Sequence, residues 1–515
     1  MGMNEKTCSP GTVYLIGAGP GDPGLITVKG KELLGRCRAV IYDNLVPLEL
    51  IIALPPGVKK FYVGKKAGSH RVSQEQINEL ILTLAREHEC VARLKGSDPL
   101  IFGRGGEEAK FLKEHGIPFE IVNGVTSGIA APCYAGIPCT DRHLASFVLF
   151  VTGHKAGDKY KTTVPWEWVA DAKGGTIVIF MGVGEIAAIV ERLIDNGLSP
   201  DTPAAVIERG TFPSQRTFAS SLREMPNTIA VHEVQSPALF VIGEVVSLRP
   251  WLDWFSGRPL AGIRVMVTRP ADQAVDLYEN LRLMGAEPLP YPTIATEYWD
   301  DPHGWNAFKN SLDNGGWLVF TSENGVRYFF DRLTIRIDDI RRLAKFRIAV
   351  VGAGTAEALA AYHLKPDFIP SRATVDDLAA EMTAGVELNG AVVIRVRGNL
   401  AGPVIEERFA EAGARVTPLT VYRTYHPDWP DGFKEKLFAF PPQAILFTST
   451  SSVEGLGHNL SGEELKQLTS NADIFSLGPM VSRTLREHGL EPTRQADEFT
   501  IPGLLAARLN YYTKA

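Results

Sequence analysis

The chain has 515 residues, too many for a single hydrophobic core, so two to four domains are expected. Its 45% hydrophobic and 22% charged residues are those of an ordinary globular protein. A formal net charge of −6 gives no support to a general polyanion-binding role, so no nucleic-acid partner is expected and any site for an acidic substrate must be a local cluster of Arg and Lys.

Short β-branched runs alternate with longer amphipathic stretches, which predicts α/β domains with mainly parallel sheets. In the first half the strand candidates are VYLIG (13–17), AVIYD (39–43), VARLKG (91–96), FVLFVTG (147–153), TIVIFMG (176–182), AAVIERG (204–210) and ALFVIGEVV (238–246). Between them, Ser73 and Gln76 form a capping box, followed at helical spacing by Ile77, Leu80, Ile81 and Leu84. Around PWLDWFSGRPLAG (250–262) the pattern breaks before a new strand, IRVMVTRP, which places a linker at 251–262 and the main domain boundary there. The second half echoes itself. Arg269 and Arg397 end similar strands, FTSENGV at Phe320 answers FTSTSSV at Phe447, and VVGAG around Gly352 answers SLGPM around Gly478. The nearly constant offset points to a duplicated lobe.

The five cysteines (Cys8, Cys37, Cys90, Cys133, Cys139) show no C-x-x-C spacing, which suits a reducing compartment. The eleven histidines are scattered, so no metal is expected. No apolar run reaches the ~18 residues of a bilayer span. MGMNEKTCSP lacks the core of a signal peptide, and Lys6 stands where N-myristoylation wants Ser or Thr. A cytoplasmic protein without a membrane partner is expected.

VYLIGAGPGDPG carries a literal G-x-G-x-x-G at Gly19, Gly21 and Gly24. Pro20 and Pro23 lack the N–H groups that cradle a pyrophosphate, so the loop is a poor dinucleotide site. Taken alone it reads as a stiff pocket lining or as a tight strand–helix turn.

The loop has company. VYLIGAGPGDPGLITVKG (13–30), VIYDNLV (40–46), VGKKAG (63–68), RLKGSDPLIFGRGGEE (93–108), GVTSGIAAPCYAGIP (124–138), VTGH (151–154), FMGVGE (180–185), VIERGTFPSQRT (206–217) and PALFVIGEVV (237–246) occur in this order. Together they closely resemble the tetrapyrrole (corrin/porphyrin) methyltransferase family, in its uroporphyrinogen III C-methyltransferase branch, over residues 11–250. The resemblance implies lobes of about 11–140 and 145–250 with S-adenosyl-L-methionine, the co-substrate, folded between them. Its contacts would come from Pro20, from Gly96, Ser97 and Asp98, from Ile101, from Thr126 and Ser127, and from Met181 and Gly210. Asp43 resembles the family's proton acceptor and Lys65 its donor; a strand-end cap and a solvated lysine are the alternatives. A homodimer through this half is also implied. Three positions depart from the family. Ser97 replaces a usual Gly and is expected to need a negative φ, Asn123 replaces a usual Pro, and Asp141 stands where the family often reads Thr-His-Arg.

Uroporphyrinogen carries eight carboxylates, so arginines should ring it. Arg104, oriented by Glu107, is the substrate-side candidate, with a plain surface ion pair as the alternative. Lys59, Lys60, Lys65, Lys66 and Arg71 either steer the anion or form a solvated face. His154 reads as structural.

Residues 263–515 resemble uroporphyrinogen III synthase, a two-lobed α/β protein, through VTRP, FTSENGV, VVGAGTAEAL, VIRVRGN, LTVYRTY, FTSTSSV and SLGPMVSRTL. The resemblance implies that Tyr422 hydrogen-bonds the departing hydroxyl of hydroxymethylbilane, a buried core tyrosine being the alternative. Thr321, Ser322, Thr448, Ser449 and Ser451 would bind propionate and acetate groups. The expected protein is bifunctional, making uroporphyrinogen III and methylating it at C2 and C7 to precorrin-2, in the direction of siroheme or cobalamin. A methyltransferase with an inactive C-terminal binding module is the alternative, and a nicotinamide oxidoreductase the third reading.

Overall fold

Among the described residues, twenty strands collect into four five-stranded sheets, formed from short β-branched apolar runs bounded by turn residues. The computed structural model describes residues 11–55, 57–64, 72–153, 164–498, 500 and 502–506. By internal contacts these divide into one unit within 1–293 and 428–515 and a second within 294–427.

The first sheet holds β1 (Thr12–Gly17), β2 (Ala39–Tyr42), β3 (Lys59–Tyr62), β4 (Cys90–Lys95) and β5 (Phe119–Val122), in the order β3-β2-β4-β1-β5 and wholly parallel. All four residues of β2 are buried, as a parallel strand covered on both faces requires. Ser73 does cap a helix, Gln74–Glu87. Its hydroxyl accepts from Gln76 N at 3.2 Å while the Gln76 side chain accepts from Ser73 N at 2.8 Å, and Ile77, Ile81 and Leu84 are buried.

The second sheet holds β6 (Val148–Thr152), β7 (Thr176–Phe180), β8 (Pro203–Glu208), β9 (Arg216–Ser221) and β10 (Ala238–Ile242), ordered β6-β7-β10-β8-β9. This sheet is mixed. β10 lies antiparallel between β7 and β8, and only β6 and β7 run parallel. The expected strand at 238–246 is also shorter, since Glu244–Leu248 turns into a 3-10 helix.

The segment expected to link the halves is packed rather than free. Trp254 Nε1 donates to the Cys133 carbonyl at 3.3 Å, and the rings of Trp254 and Phe255 lie 5.1 and 5.0 Å from Tyr134. Then come β11 (Arg264–Val267) and β12 (Glu287–Pro290). After β12 the chain leaves to build the second unit from β13 (Ala295–Tyr298), β14 (Gly316–Phe320), β15 (Phe346–Val350), β16 (Val392–Gly398) and β17 (Arg415–Tyr425). It returns as β18 (Ala444–Phe447), β19 (Asp473–Ser476) and β20 (Arg494–Gln495).

The sheet orders are β12-β11-β18-β19-β20 and β13-β17-β16-β14-β15. Matching β11 with β16, β12 with β17, β18 with β14 and β19 with β15 gives the same parallel neighbours in both. The duplicated lobes are thus circularly permuted with respect to each other, which explains why the sequence echoes keep one offset. Two of the three echoes also have the same local structure. Ser322 and Ser449 both cap a helix after their strand, and Gly352 and Gly478 both open the next one.

Candidate active sites

Three loops leave the carboxyl edge of the first sheet side by side, after β1, β4 and β5. The register that pairs Gly17 with Lys95 makes the first two adjacent, and Ser97 N donates to the Gly19 carbonyl at 2.7 Å. The backbones approach so closely that a Cβ on Gly17 would sit 2.5 Å from Gly124 N, and one on Gly96 2.5 Å from Leu45 Cβ. Asp98 is buried and organises the turn. One of its oxygens accepts from Leu100 N (2.8 Å) and Ile101 N (3.3 Å), the other from Gly124 N and Asn123 Nδ2 (both 3.2 Å). Asn123 therefore supplies a side-chain donor that Pro lacks, and the Asp98 oxygens are committed to holding loops together.

Ser97 corrects the expectation of a negative φ. It sits at φ +66°, in the left-handed region. Its hydroxyl accepts from Ser127 N at 2.6 Å, and that bond offsets a conformational cost of roughly 1–2 kcal/mol. Thr126 caps the helix Ser127–Tyr134, its hydroxyl accepting from Gly128 N at 3.3 Å.

The second lobe closes onto these loops. Asp22 N donates to Thr211 Oγ1 at 3.1 Å and Tyr134 OH to Asp22 Oδ2 at 2.8 Å, while the Phe102 and Phe180 rings lie 4.9 Å apart. Gly210 packs against Ala131, and Met181, next to Phe180, is 52% exposed. Pro20, Gly96, Ser97, Asp98, Ile101, Thr126, Ser127, Met181 and Gly210 thus lie on one ring of touching loops. Among the described residues eight non-glycines have positive φ, and six of them (Ser97, Phe102, Arg104, Met181, Arg209, Thr211) belong to this ring. Strained backbone concentrates at sites that must hold a fixed shape, so the ring is the first candidate site.

Behind it lies an ionic cluster that the sequence reading overlooked. Glu108 is buried and accepts from Lys95 Nζ at 3.0 and 2.9 Å, from Arg93 Nε at 3.2 Å and from Gln74 Nε2 at 3.2 Å. Arg93 also reaches Asp43 Oδ2 at 3.2 Å. Burial, and then Arg93, lower the Lys95 pKa. Arg93 and Lys95 alternate along β4 and so share a face; that spacing was the available signal. Asp43, at the end of β2, is about three-quarters buried and tied into this cluster.

Arg104 and Glu107 form a bidentate pair at 2.9 and 2.7 Å in the first turn of the helix Gly105–Glu114. The Arg104 hydrogen bonds hold the Glu107 carboxyl below its usual range. Lys59 and Lys60 lie on β3, whereas Lys65, Lys66, Arg71 and His154 lie outside the described residues. Asp141 Oδ1 accepts from His143 N and Leu144 N at 2.9 and 3.1 Å, a turn-forming role.

In the second unit, Thr321, Ser322 and Tyr422 line a cavity of about 400 Å³ together with Arg395 and Gly398. Ser322 Oγ lies 3.1 Å from Tyr422 OH and accepts from Gly325 N at 3.0 Å. Tyr422 stacks on Tyr328, centroids 5.6 Å apart, and stands against Gly398. The fully buried Arg395 donates to the Gly402 carbonyl at 2.6 Å and pairs with Glu406, whose other oxygen takes Arg397 at 2.8 Å. In the first unit, Thr448 follows β18, and Ser449 caps the helix Thr450–Glu454, whose first turn holds Ser451. Among the described residues no group of three His, Cys, Asp or Glu side chains could hold a metal, and no helix is long and apolar enough to cross a membrane.

Residues 12–226 match the family model of the tetrapyrrole (corrin/porphyrin) methylases, and residues 275–506 that of uroporphyrinogen-III synthase HemD. The chain is similar to a porphyrin biosynthesis protein HemD of Ruminiclostridium josui, 38% identical over 89% of this chain and 91% of that one. It is also similar to a uroporphyrinogen-III C-methyltransferase of Bacillus subtilis, 38% identical over 65% of this chain and 68% of that one. Among solved structures, a uroporphyrin-III C-methyl transferase from Thermus thermophilus, complexed with S-adenyl homocysteine, is 42% identical over 46% of this chain and 93% of that one, with a TM-score of 0.39.

Proposed function

Because the chain belongs to the tetrapyrrole methylases through its first half and to the uroporphyrinogen-III synthases through its second, we propose that this bifunctional enzyme of tetrapyrrole biosynthesis makes uroporphyrinogen III and then methylates it. The synthase half, 263–515, closes hydroxymethylbilane to uroporphyrinogen III. The methyltransferase half, 11–250, joined through 251–262, transfers methyl groups from S-adenosyl-L-methionine to C2 and C7, and the precorrin-2 formed supplies siroheme and cobalamin. A cytoplasmic location and a homodimer through the methyltransferase half go with this reading.

The observation that carries it is the ring of strained loops between the two lobes. Its rim exposes Leu100, Ile101, Phe102 and Met181, and Pro20 and Pro23 remove backbone donors from the first loop. Such a lining suits an adenosyl group and a sulfonium better than a pyrophosphate. The bound donor supplies an activated methyl group, and holding the pyrrole carbon in line with it provides most of the acceleration. Arg104 grips a side-chain carboxylate with Glu107 holding the guanidinium in place. Asp43 takes the proton lost from the methylated carbon, and Lys65 acts as donor. In the synthase half Tyr422, steadied by Ser322 and Tyr328, hydrogen-bonds the departing hydroxyl, while Thr321, Ser322, Thr448, Ser449 and Ser451 bind acetate and propionate arms.

Crystals soaked with S-adenosylhomocysteine test the methyltransferase reading. Ligand density against Pro20, Gly96 and Met181 is expected. Density elsewhere, or a preference for NAD over S-adenosylmethionine in equilibrium dialysis, overturns it.

A further inference from the structure

Asp428–Phe440 belongs by sequence to the synthase half, yet it packs on the edge of the methyltransferase sheet that carries Asp43. Phe433 and Leu437, four apart on the helix Phe433–Ala439, are fully buried in one core with Tyr42, Val46 and Leu54. Tyr42 OH donates to the Asp431 carbonyl at 2.7 Å. Gly432, at φ +85°, lies so close to the Tyr62 ring that a Cβ there would be 2.8 Å away. Two ion pairs cross the same seam, Arg282 with Glu49 and Arg209 with Glu287 at 2.8 Å.

One contact of this seam meets the turn that begins at Asp43. Lys436 Nζ donates to the Val46 carbonyl at 3.0 Å. Val46 closes the turn that begins at Asp43, where Asp43 Oδ1 accepts from Leu45 N at 3.1 Å and Val46 N donates to the Asp43 carbonyl at 3.4 Å. Leu45, in the middle of the turn, stands against Gly96 of the proposed cofactor loop. A cavity of about 320 Å³ runs along the seam, lined by Asn44, Val46, Tyr62 and Lys436 and by Gly21 and Asp22 of the first loop. An ammonium placed here gives up water, and a hydrophobic side chain would fill the space at lower cost. What the charge provides is a fixed turn beside Asp43.

We propose that Lys436 is a positioning residue for methyl transfer, through which the synthase half holds the Asp43 turn against the cofactor loop. The proposal rests on the methyltransferase reading above. Fusion then does more than tether two enzymes: one supplies a structural member of the other's site. Burial of the ammonium lowers Lys436 to about 8, with nearby Asp43 acting in the opposite direction, as expected of a cation held close to that carboxylate.

The test uses the full chain, with Lys436→Met and Lys436→Arg. Methyl transfer is measured on supplied uroporphyrinogen III, and synthase turnover of hydroxymethylbilane on the same preparations. For Lys436→Met, kcat for methylation is expected to fall about tenfold, the loss of one charge-assisted hydrogen bond, with KM for S-adenosylmethionine and the synthase rate unchanged and partial recovery in Lys436→Arg. Wild-type kcat in Lys436→Met, or equal loss of both activities, overturns the proposal. Should Lys436→Met prove insoluble, Tyr42→Phe removes the bond to Asp431; a smaller fall in kcat supports the proposal and an unchanged kcat overturns it. A wild-type protein that methylates nothing overturns the functional reading, and this proposal with it.

Discussion

Replacing Glu108 by Gln removes one negative charge from a site where two cations converge. The carboxylate takes both Lys95 contacts at 3.0 and 2.9 Å and the Arg93 contact at 3.2 Å, and all three side chains are no more than 6% exposed. The amide keeps one acceptor but turns the other position into a donor facing a cation. Breaking a buried pair in this way costs about 3–5 kcal/mol, and the retained oxygen places Glu108→Gln near the lower end, roughly 3 kcal/mol. Glu108 belongs to the unit built from 1–293 and 428–515, and at about 1–2 °C per kcal/mol for a unit of that size its melting temperature should fall roughly 3–6 °C. The sign of the pH dependence follows from Lys95. Its pKa is already lowered by burial and by Arg93, so the unfolded chain binds more protons than the folded one below the ordinary lysine value of 10.5, and stability rises with pH across that window. Loss of Glu108 removes the negative charge that raises the Lys95 pKa and so deepens the effect, and the deficit of the variant should be largest near neutrality and narrow as the pH climbs. Calorimetry of both proteins from neutral to alkaline pH measures this. A variant melting within about 2 °C of wild type at neutral pH, or a deficit that widens with pH, would refute the reasoning.

Three further outcomes are expected. Ser97→Ala keeps the left-handed backbone and loses the bond to Ser127, costing about 1–2 kcal/mol in urea unfolding, whereas Ser97→Gly loses the bond but relieves the strain and should be nearly neutral; equal costs would contradict this account. Arg104→Ala breaks an exposed pair and should change stability by less than about 0.5 kcal/mol while raising KM for uroporphyrinogen III roughly tenfold; an unchanged KM would leave Arg104 a surface pair. Tyr422→Phe should slow conversion of hydroxymethylbilane at least about tenfold and leave methylation of supplied uroporphyrinogen III untouched; an unaltered synthase rate would assign Tyr422 to packing.

Elements whose apolar runs are buried on both faces, such as β1, β2 and β7, were readable from the sequence because a continuous run admits few alternatives. The edge strand β9, RTFASS, has no fully buried residue and so no periodic signal, and β3 was hidden within a basic stretch. The antiparallel entry of β10 was equally hidden, since strand direction depends on pairing partners far along the chain rather than on the run itself. The echoes around Phe320 and Phe447 identified the repeated lobe, but not that one copy begins two strands later in the cycle than the other. At the site, motif spacing named loops that do meet. It overlooked Arg93, Lys95 and Glu108, whose charges read as solvent-facing until β4 and its helix bury them together. It also could not foresee that the Ser97 hydroxyl, by binding Ser127 N, makes a left-handed serine affordable.

The central claim is that one chain performs consecutive steps, and mass spectrometry of the products formed from hydroxymethylbilane and S-adenosylmethionine tests it most directly. Uroporphyrinogen III carrying two added methyl groups, made by the purified chain alone, is the predicted result. Unmethylated product, or only the type I isomer arising by unassisted ring closure, would contradict it.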